Sequence, residues 1–176
     1  MHKWVWIGLV SLAMTRMAHA GSESIEWTVA LDGPAFSPTL YPNETAPSGV
    51  VVSSGKTVQL IRGDGTVAWR ADMPDPAATP ATVADLDEDG SFEAIAALAD
   101  GTVICLDATG TTRWAHAFDT PAGGFKVIVA SDLTPSRGLE ILAGFDDGWL
   151  NCLSADGRLL WRFFGDRSRV GGIAIG

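Results

Sequence analysis

The chain contains the phrase Asp107-Ala-Thr-Gly-Thr-Thr-Arg-Trp114, and two variants of it occur on either side. The variants are Arg62-Gly-Asp-Gly-Thr-Val-Ala-Trp69 and Ser154-Ala-Asp-Gly-Arg-Leu-Leu-Trp161. Each phrase has a glycine four residues before its tryptophan. Because glycine accepts positive φ at little cost, the phrase predicts a tight turn followed by a strand. Trp27 precedes Trp69 by 42 residues and extends the series towards the N-terminus.

The repeat covers two whole units at a constant offset of 47 residues. The pairs at this offset are Asp85 and Asp132, Glu93 and Glu140, Asp100-Gly101 and Asp147-Gly148, and Cys105 and Cys152. Short runs between these positions predict strands at 93–98, 102–107, 111–117, 140–144, 149–154 and 158–163, with a further strand at 82–84 or 127–130. Each unit is therefore predicted to be a four-stranded antiparallel meander.

A small meander that recurs about every 45 residues is typical of a β-propeller blade, because one such sheet cannot bury both of its faces alone. The predicted fold class is all-β, with Trp-ended units at 28–69, 70–114 and 115–161 and a partial blade at 162–176. Trp69, Trp114 and Trp161 are expected to pack between adjacent blades. Trp149 lies outside that register and is free to act in recognition. We expect an incomplete propeller that is a fragment of a longer one or closes against another chain.

The N-terminal segment predicts export. Lys3 gives a basic start, the apolar run from Trp4 to Met14 is too short to span a bilayer, and Ala18-His19-Ala20 forms a small-x-small cleavage site. Residues 1–20 are therefore predicted to be a signal peptide, and residues 21–176 to be a β-propeller repeat region without a membrane span. The expected location is the periplasm or the cell exterior.

The charge of the chain disfavours nucleic acid as a partner. It has 12 basic and 21 acidic residues, a net charge of −9, and the predicted signal peptide removes two of the basic residues. Nucleic acids and anionic lipids are bound mainly through Lys and Arg, so an acidic surface repels both. The same surface suits a cation.

An aspartate-rich loop predicts one calcium site. Calcium takes six to eight oxygen ligands, which alternate residues of a tight loop can supply. The expected metal ligands are the side chains of Asp85, Asp87 and Asp89, the carbonyl of Ser91 and the closing carboxylate of Glu93. The alternative is an acidic turn exposed to solvent. The corresponding loop at 132–140 has Thr and Ser in place of two of the aspartates, and we expect no tight calcium binding there.

These motifs resemble those of known repeat families. The stretches Leu106 to Trp114 and Leu153 to Trp161 resemble the Trp-docking repeat of quinoprotein-like (PQQ-like) propellers. The stretch Ala84 to Glu93 resembles the calcium loop of FG-GAP and VCBS repeat proteins. The resemblance implies a propeller with a structural calcium ion, but it does not specify an activity, because a shared fold does not carry function.

The remaining reactive side chains are few. His116 is the one histidine left after signal removal, which leaves a single possible centre for a Ser-His-Asp triad, and we assign no catalytic residues. Cys105 and Cys152 occupy the same position in adjacent sheets, about 10 Å apart, whereas a disulfide needs Cα atoms within about 7 Å. We therefore expect buried free thiols.

The sequence favours a non-enzymatic function. We expect a binding or scaffold module that holds a protein or a glycan through the loops of the propeller. The alternative is part of a PQQ-dependent quinoprotein dehydrogenase or another propeller-containing secreted enzyme.

Overall fold

The computed structural model describes residues 10–16, 24–42, 49–119, 124–134, 138–165 and 173. All regular elements in these ranges are β-strands, which confirms the all-β prediction. The strands are β1 (Val10–Arg16), β2 (Ser24–Leu31), β3 (Thr39–Tyr41), β4 (Gly49–Ser54), β5 (Thr57–Arg62), β6 (Val67–Asp72), β7 (Thr82–Ala84), β8 (Glu93–Ala97), β9 (Thr102–Leu106), β10 (Thr112–Ala117), β11 (Phe125–Ser131), β12 (Glu140–Phe145), β13 (Trp149–Ser154) and β14 (Leu159–Phe164).

Twelve of these strands form three four-stranded antiparallel meanders. Blade 1 is β3–β6, blade 2 is β7–β10 and blade 3 is β11–β14, each with its strands paired in chain order. The predicted strands of the second and third units agree with the observed ones to within one or two residues, and the predicted meander is confirmed. The limits of the Trp-ended units are not fixed by this agreement and stay a prediction.

The core lies between the sheets rather than within any one of them. One buried cluster joins blades 1 and 2, and includes Val51, Leu60, Ala94 and Leu106. A second joins blades 2 and 3, where Ile95, Cys105 and Phe145 pack together with residues of both sheets. Both faces of the middle sheet are thus covered, as expected for blades stacked side by side.

A repeated tryptophan contact fixes each sheet against the next. The rings of Trp27, Trp69 and Trp114 lie on the turn glycines of the following sheet, which are Gly65, Gly110 and Gly157. These glycines have φ of 84°, 82° and 80°, the left-handed region that favours glycine. We call this contact the Trp–Gly latch.

A hydrogen bond completes two of the latches. Trp27 Nε1 donates to the Gly63 carbonyl over 3.0 Å, and Trp114 Nε1 donates to the Ala155 carbonyl over 2.9 Å. The buried Nε1 of Trp69 has no such acceptor. The predicted packing between blades is therefore confirmed for Trp69 and Trp114, with the indole N–H satisfied in the second case.

The same packing is not seen for Trp161 within the described residues, and for this tryptophan it stays a prediction. Its side chain is 43% exposed, and its neighbours on β14, Leu159, Phe163 and Phe164, are exposed as well. The reason is that no sheet within the described ranges lies beyond β14 to provide a glycine turn. The predicted partial blade at 162–176 falls mostly outside the described residues.

The predicted signal peptide is described only in part. Its residues 10–16 form β1, which pairs antiparallel with β2. Residues 1–9 and 17–20 lie outside the described residues, so cleavage after Ala20 stays a prediction. In the described part of the chain, no helix has the length and apolar character needed to cross a membrane.

The cysteines are free and buried, as predicted. Burial raises the pKa of the Cys105 thiol to about 12 and that of Cys152 to about 11. The thiolate is the reactive form, so a raised pKa reduces the reactive fraction at neutral pH.

We expect neither thiol to react with iodoacetamide at pH 8 in the native protein. Both should react in denaturant, where burial is lost and the pKa returns to its ordinary value. Mass spectrometry after timed alkylation measures this. Rapid labelling of either cysteine in native buffer would show that its strand opens to solvent.

Candidate functional site

The acidic loop connects β7 to β8 in blade 2. It brings together carboxylate oxygens of Asp85, Asp87 and Asp89, all within 4.8 Å of one another. Asp87 and Asp89 are exposed and Asp85 is half-buried. The three aspartates predicted as metal ligands therefore do form one cluster.

Hydrogen bonds from the backbone fold the loop around Asp85. Asp89 N donates to Asp85 Oδ1 over 3.1 Å, and Gly90 N donates to Asp85 Oδ2 over 2.9 Å. Ser91 N donates to Asp89 Oδ1 over 2.7 Å. Gly90 has a φ of 85°, as its predicted role in the sharp turn requires. The carboxylates thus face one another because the backbone amides hold them.

Glu93, the predicted closing ligand, is placed differently from the aspartates. Its side chain is buried, with Oε2 accepting from Leu86 N over 2.9 Å. Its Oε1 lies 2.8 Å from Nη1 of Arg113. Burial raises the pKa of Glu93, while the Leu86 amide and Arg113 act in the opposite direction. The structure therefore does not bring Glu93 into the aspartate cluster, and its role as a metal ligand stays a prediction.

Arg113 is a site residue that the sequence reasoning missed. Its guanidinium contacts Glu93 and also donates from Nη2 to Asp87 Oδ2 over 2.7 Å. The hydrogen bond with Asp87, followed by that with Glu93, raises the pKa of Arg113. Arg113 comes from β10, two strands away from β8, and its position in the repeated phrase gave no sign of this contact.

The corresponding loop of blade 3 shows which contact of the site is common to both blades. Glu140 Oε2 accepts from Leu133 N over 2.9 Å, which repeats the bond between Glu93 and Leu86. Residues 135–137 of this loop lie outside the described residues. The glutamate is thus a structural anchor in both loops, whereas the triple aspartate occurs in blade 2.

The donor set of the acidic loop fits a hard cation. Each of the three carboxylates offers one oxygen within 4.8 Å of the other two, and calcium prefers oxygen ligands of this type. Arg113 already supplies one positive charge beside Asp87, so a bound cation would share or replace that partner. An open cavity beside the cluster, lined by the half-buried Ser91 and Asp107 and the exposed Thr109, allows access.

Trp149, which was predicted to be free for recognition, lies beside one aromatic and one cationic side chain. Its ring is 4.8 Å from that of Phe164, and the guanidinium carbon of Arg162 lies 4.9 Å from its centroid. Trp149 is half-buried and borders a cavity between blades 2 and 3. Its indole is therefore placed at a cavity and not in a Trp–Gly latch.

The sequence is similar to one protein family over part of its length. The profile of the lambda-carrageenase beta-propeller domain matches residues 50–128. This range includes blade 2 with the acidic loop and most of blade 1. A comparison with curated protein sequences gives no match.

Solved structures of low sequence identity share the architecture. BamB from Moraxella catarrhalis is 21% identical, with a TM-score of 0.61 over 93% of this chain and 48% of that chain. BBS1N in complex with ARL6DN is 10% identical, with a TM-score of 0.60 over 78% of this chain and 43% of that one. The Neurospora crassa Pan2 WD40 domain is 13% identical, with a TM-score of 0.57 over 81% and 40%. The chain thus spans about half the length of these structures or less, and its described sheets are consecutive blades of a β-propeller.

Proposed function

We propose that this chain is an exported, calcium-binding β-propeller repeat protein that acts as a binding or scaffold module for a protein or a glycan. The observation that carries the proposal is the cluster of Asp85, Asp87 and Asp89, held within 4.8 Å on a loop between two blade strands. No catalytic step is assigned to it.

The proposed calcium ion has a structural role. Carboxylates this close repel one another unless a cation neutralises them, and Arg113 neutralises Asp87 alone among the three aspartates in the contacts described. An ion bound to all three would fix the loop between β7 and β8, as in the FG-GAP and VCBS loops that this stretch resembles. Extracellular modules bind calcium at about 10⁻⁴ to 10⁻³ M, which suits an exported protein.

The comparisons support both partner classes. BBS1N was solved in complex with another protein, ARL6DN. The matching family profile is named for an enzyme of lambda-carrageenan, which is a glycan. Because propellers of both kinds share this architecture, a partner held by the loops or between the blades is the function that the fold supports best.

We expect calcium to raise the unfolding temperature of the exported chain, and Asp87→Ala to abolish that rise. Ligand linkage gives about 2.7 kcal/mol of added stability at a hundredfold excess of calcium over Kd. Asp87 is central in the cluster, so its loss removes a ligand and leaves the other aspartates. Differential scanning calorimetry with calcium or with a chelator measures the shift.

The matched control is Asp132→Ala in the corresponding loop of blade 3, which should keep the full calcium response. A response that survives Asp87→Ala, or a titration that returns two sites of similar affinity, contradicts the assignment. The binding role is tested separately by presenting the immobilised chain with a glycan array and with proteins of the same compartment. Retention of neither by folded protein contradicts that role.

A further inference from the structure

A cavity opens between the outer strand of blade 2 and the face of blade 3. His116, Phe118 and Asp119 border it on one side, and Trp149, Asn151 and Arg162 on the other. It is separate from the acidic loop. Buried polar groups in proteins normally have a hydrogen-bond partner, which makes the contacts of the cavity's polar lining informative.

Asn151 is a buried polar side chain without a partner. It is 4% exposed, and its amide makes no hydrogen bond in the described part of the chain. The amide borders the cavity, so the cavity is where a partner can bind. A ligand with hydroxyl groups in the cavity could form the hydrogen bonds that no described side chain of the protein supplies to this amide.

The corresponding positions of blade 1 hold an amide and an arginine that both have partners. Strand pairing makes Gln59 and Arg70 of blade 1 the counterparts of Asn151 and Arg162, since Gln59 pairs with Arg70 and Asn151 with Arg162. Gln59 donates to Thr57 Oγ1 over 3.4 Å. The amide of the first pair is therefore satisfied by a neighbouring side chain, in contrast to that of Asn151.

The arginines differ in the same way. Arg70 forms ion pairs with Asp32 at the end of β2 and with Asp72. The counterpart of Asp32 is Asp119, because both follow a latch tryptophan by five residues. Arg162 and Asp119 both border the cavity, yet within the described residues neither forms an ion pair or a hydrogen bond. Arg162 lies over the Trp149 ring instead.

Two substitutions in the repeat accompany the difference. In blade 3, Trp149 pairs with Phe164. At the same position of blade 1, Thr57 pairs with Asp72, so Trp149 corresponds to Thr57 and Phe164 to Asp72. Trp149 replaces the hydroxyl partner of the amide and Phe164 replaces one carboxylate partner of the arginine. The guanidinium of Arg162 lies over the indole instead, in a cation–π contact.

In blade 1 the ion pair between Arg70 and Asp32 bridges the gap to the preceding sheet. The corresponding gap between blades 2 and 3 has no such ion pair in the described residues and stays open.

The open gap has the chemistry of a site for a neutral, hydroxyl-rich ring. Arg162 offers donors, Asp119 offers acceptors, and the Asn151 amide offers both. A hydroxyl group can donate and accept, so one sugar ring could use all three of these groups. A strongly anionic ligand would meet Asp119 and Asp147, whereas a cation would meet Arg162.

We propose that the cavity between blades 2 and 3 binds an uncharged sugar unit through Asn151, Arg162 and Asp119. This inference rests on the proposed binding role and names glycan as the ligand class for this one site. The site is independent of the acidic loop, so its failure would leave the calcium proposal standing.

The test is titration of the exported chain with the methyl glycosides of galactose, glucose and mannose, and with inorganic sulfate, followed by calorimetry and saturation-transfer NMR. At least one glycoside should bind and sulfate should not. Arg162→Gln, at an exposed position, should weaken binding about tenfold or more, because hydrogen bonds to charged groups are the strong ones. Asn151→Leu should remove binding, because it removes the amide that faces the cavity, and its unfolding temperature is measured to show that the variant is folded.

Gln59→Leu, at the satisfied counterpart in blade 1, is the control and should leave sugar binding unchanged. Glycoside binding that both cavity variants retain would move the site elsewhere and overturn the inference. Tighter binding of sulfate than of any glycoside would overturn the neutral ligand class. If no glycoside binds to protein that still shows the calcium shift, the sugar site alone is overturned. If the immobilised chain retains neither a glycan nor a protein partner, the proposed binding role is overturned.

Discussion

Gly157→Ala should destabilise the protein by about 2–5 kcal/mol, although it adds a single methyl group. Gly157 has a φ of 80°, where a side chain is strained. A Cβ at this position would also lie 2.6 Å from Cδ2 of Trp114, closer than the packed ring allows. The ring cannot move away without breaking the bond from Trp114 Nε1 to the Ala155 carbonyl. Urea unfolding followed by circular dichroism measures the loss.

Gly90→Ala separates the backbone strain from the latch. Gly90 has a nearly equal φ of 85°, but a Cβ there would meet no atom within 4 Å. Measured with a chelator present, it should cost only the strain, about 1–2 kcal/mol. Equal losses for the two variants would show that the contact with Trp114 contributes nothing to stability.

Trp114→Ala should cost about 3–5 kcal/mol, as expected for truncation of a large side chain that packs between two sheets. The loss combines the contact with Gly157, the hydrogen bond to Ala155 and packing against the core between blades 2 and 3. Thermal and denaturant unfolding of the protein provide the measurement.

Trp161→Ala is the matched comparison, because Trp161 occupies the same place in its phrase but is 43% exposed. It should cost about 1 kcal/mol, the size of an average substitution. If Trp161→Ala destabilises as much as Trp114→Ala, then Trp161 is buried in solution against a surface that lies beyond the described residues.

The fold could be predicted because its determinants are local and repeated. Gly110 and Trp114 stand at fixed positions in a phrase that occurs three times, and a repeat with a period near 45 residues leaves few architectures open. Trp161 shows the limit of this reasoning. Its phrase is the same as that of Trp114, but its burial depends on what lies next to it, which a local pattern does not contain.

The candidate site was predictable only in part for the same reason. Asp85, Asp87 and Asp89 are neighbours in sequence, and the loop that joins them also brings them together. The contact of Arg113 with Asp87 spans 26 residues and depends on how β10 lies against the loop. Glu93 was predicted as a ligand from its spacing, whereas the structure shows it anchoring the Leu86 amide, a role that its repeat partner Glu140 shares.

The Trp–Gly latch has a consequence for how such a chain can change over evolutionary time. Each eight-residue phrase contains one glycine turn and one tryptophan, so every copied unit can receive the tryptophan of the unit before it and contact the glycine of the unit after it. A duplicated unit inserted in register can therefore latch onto the copy before it and receive the copy after it without any compensating substitution. Growth or loss by whole units is thus the least disruptive change open to this architecture, whereas an insertion within a phrase alters the spacing between the glycine turn and the tryptophan of that unit.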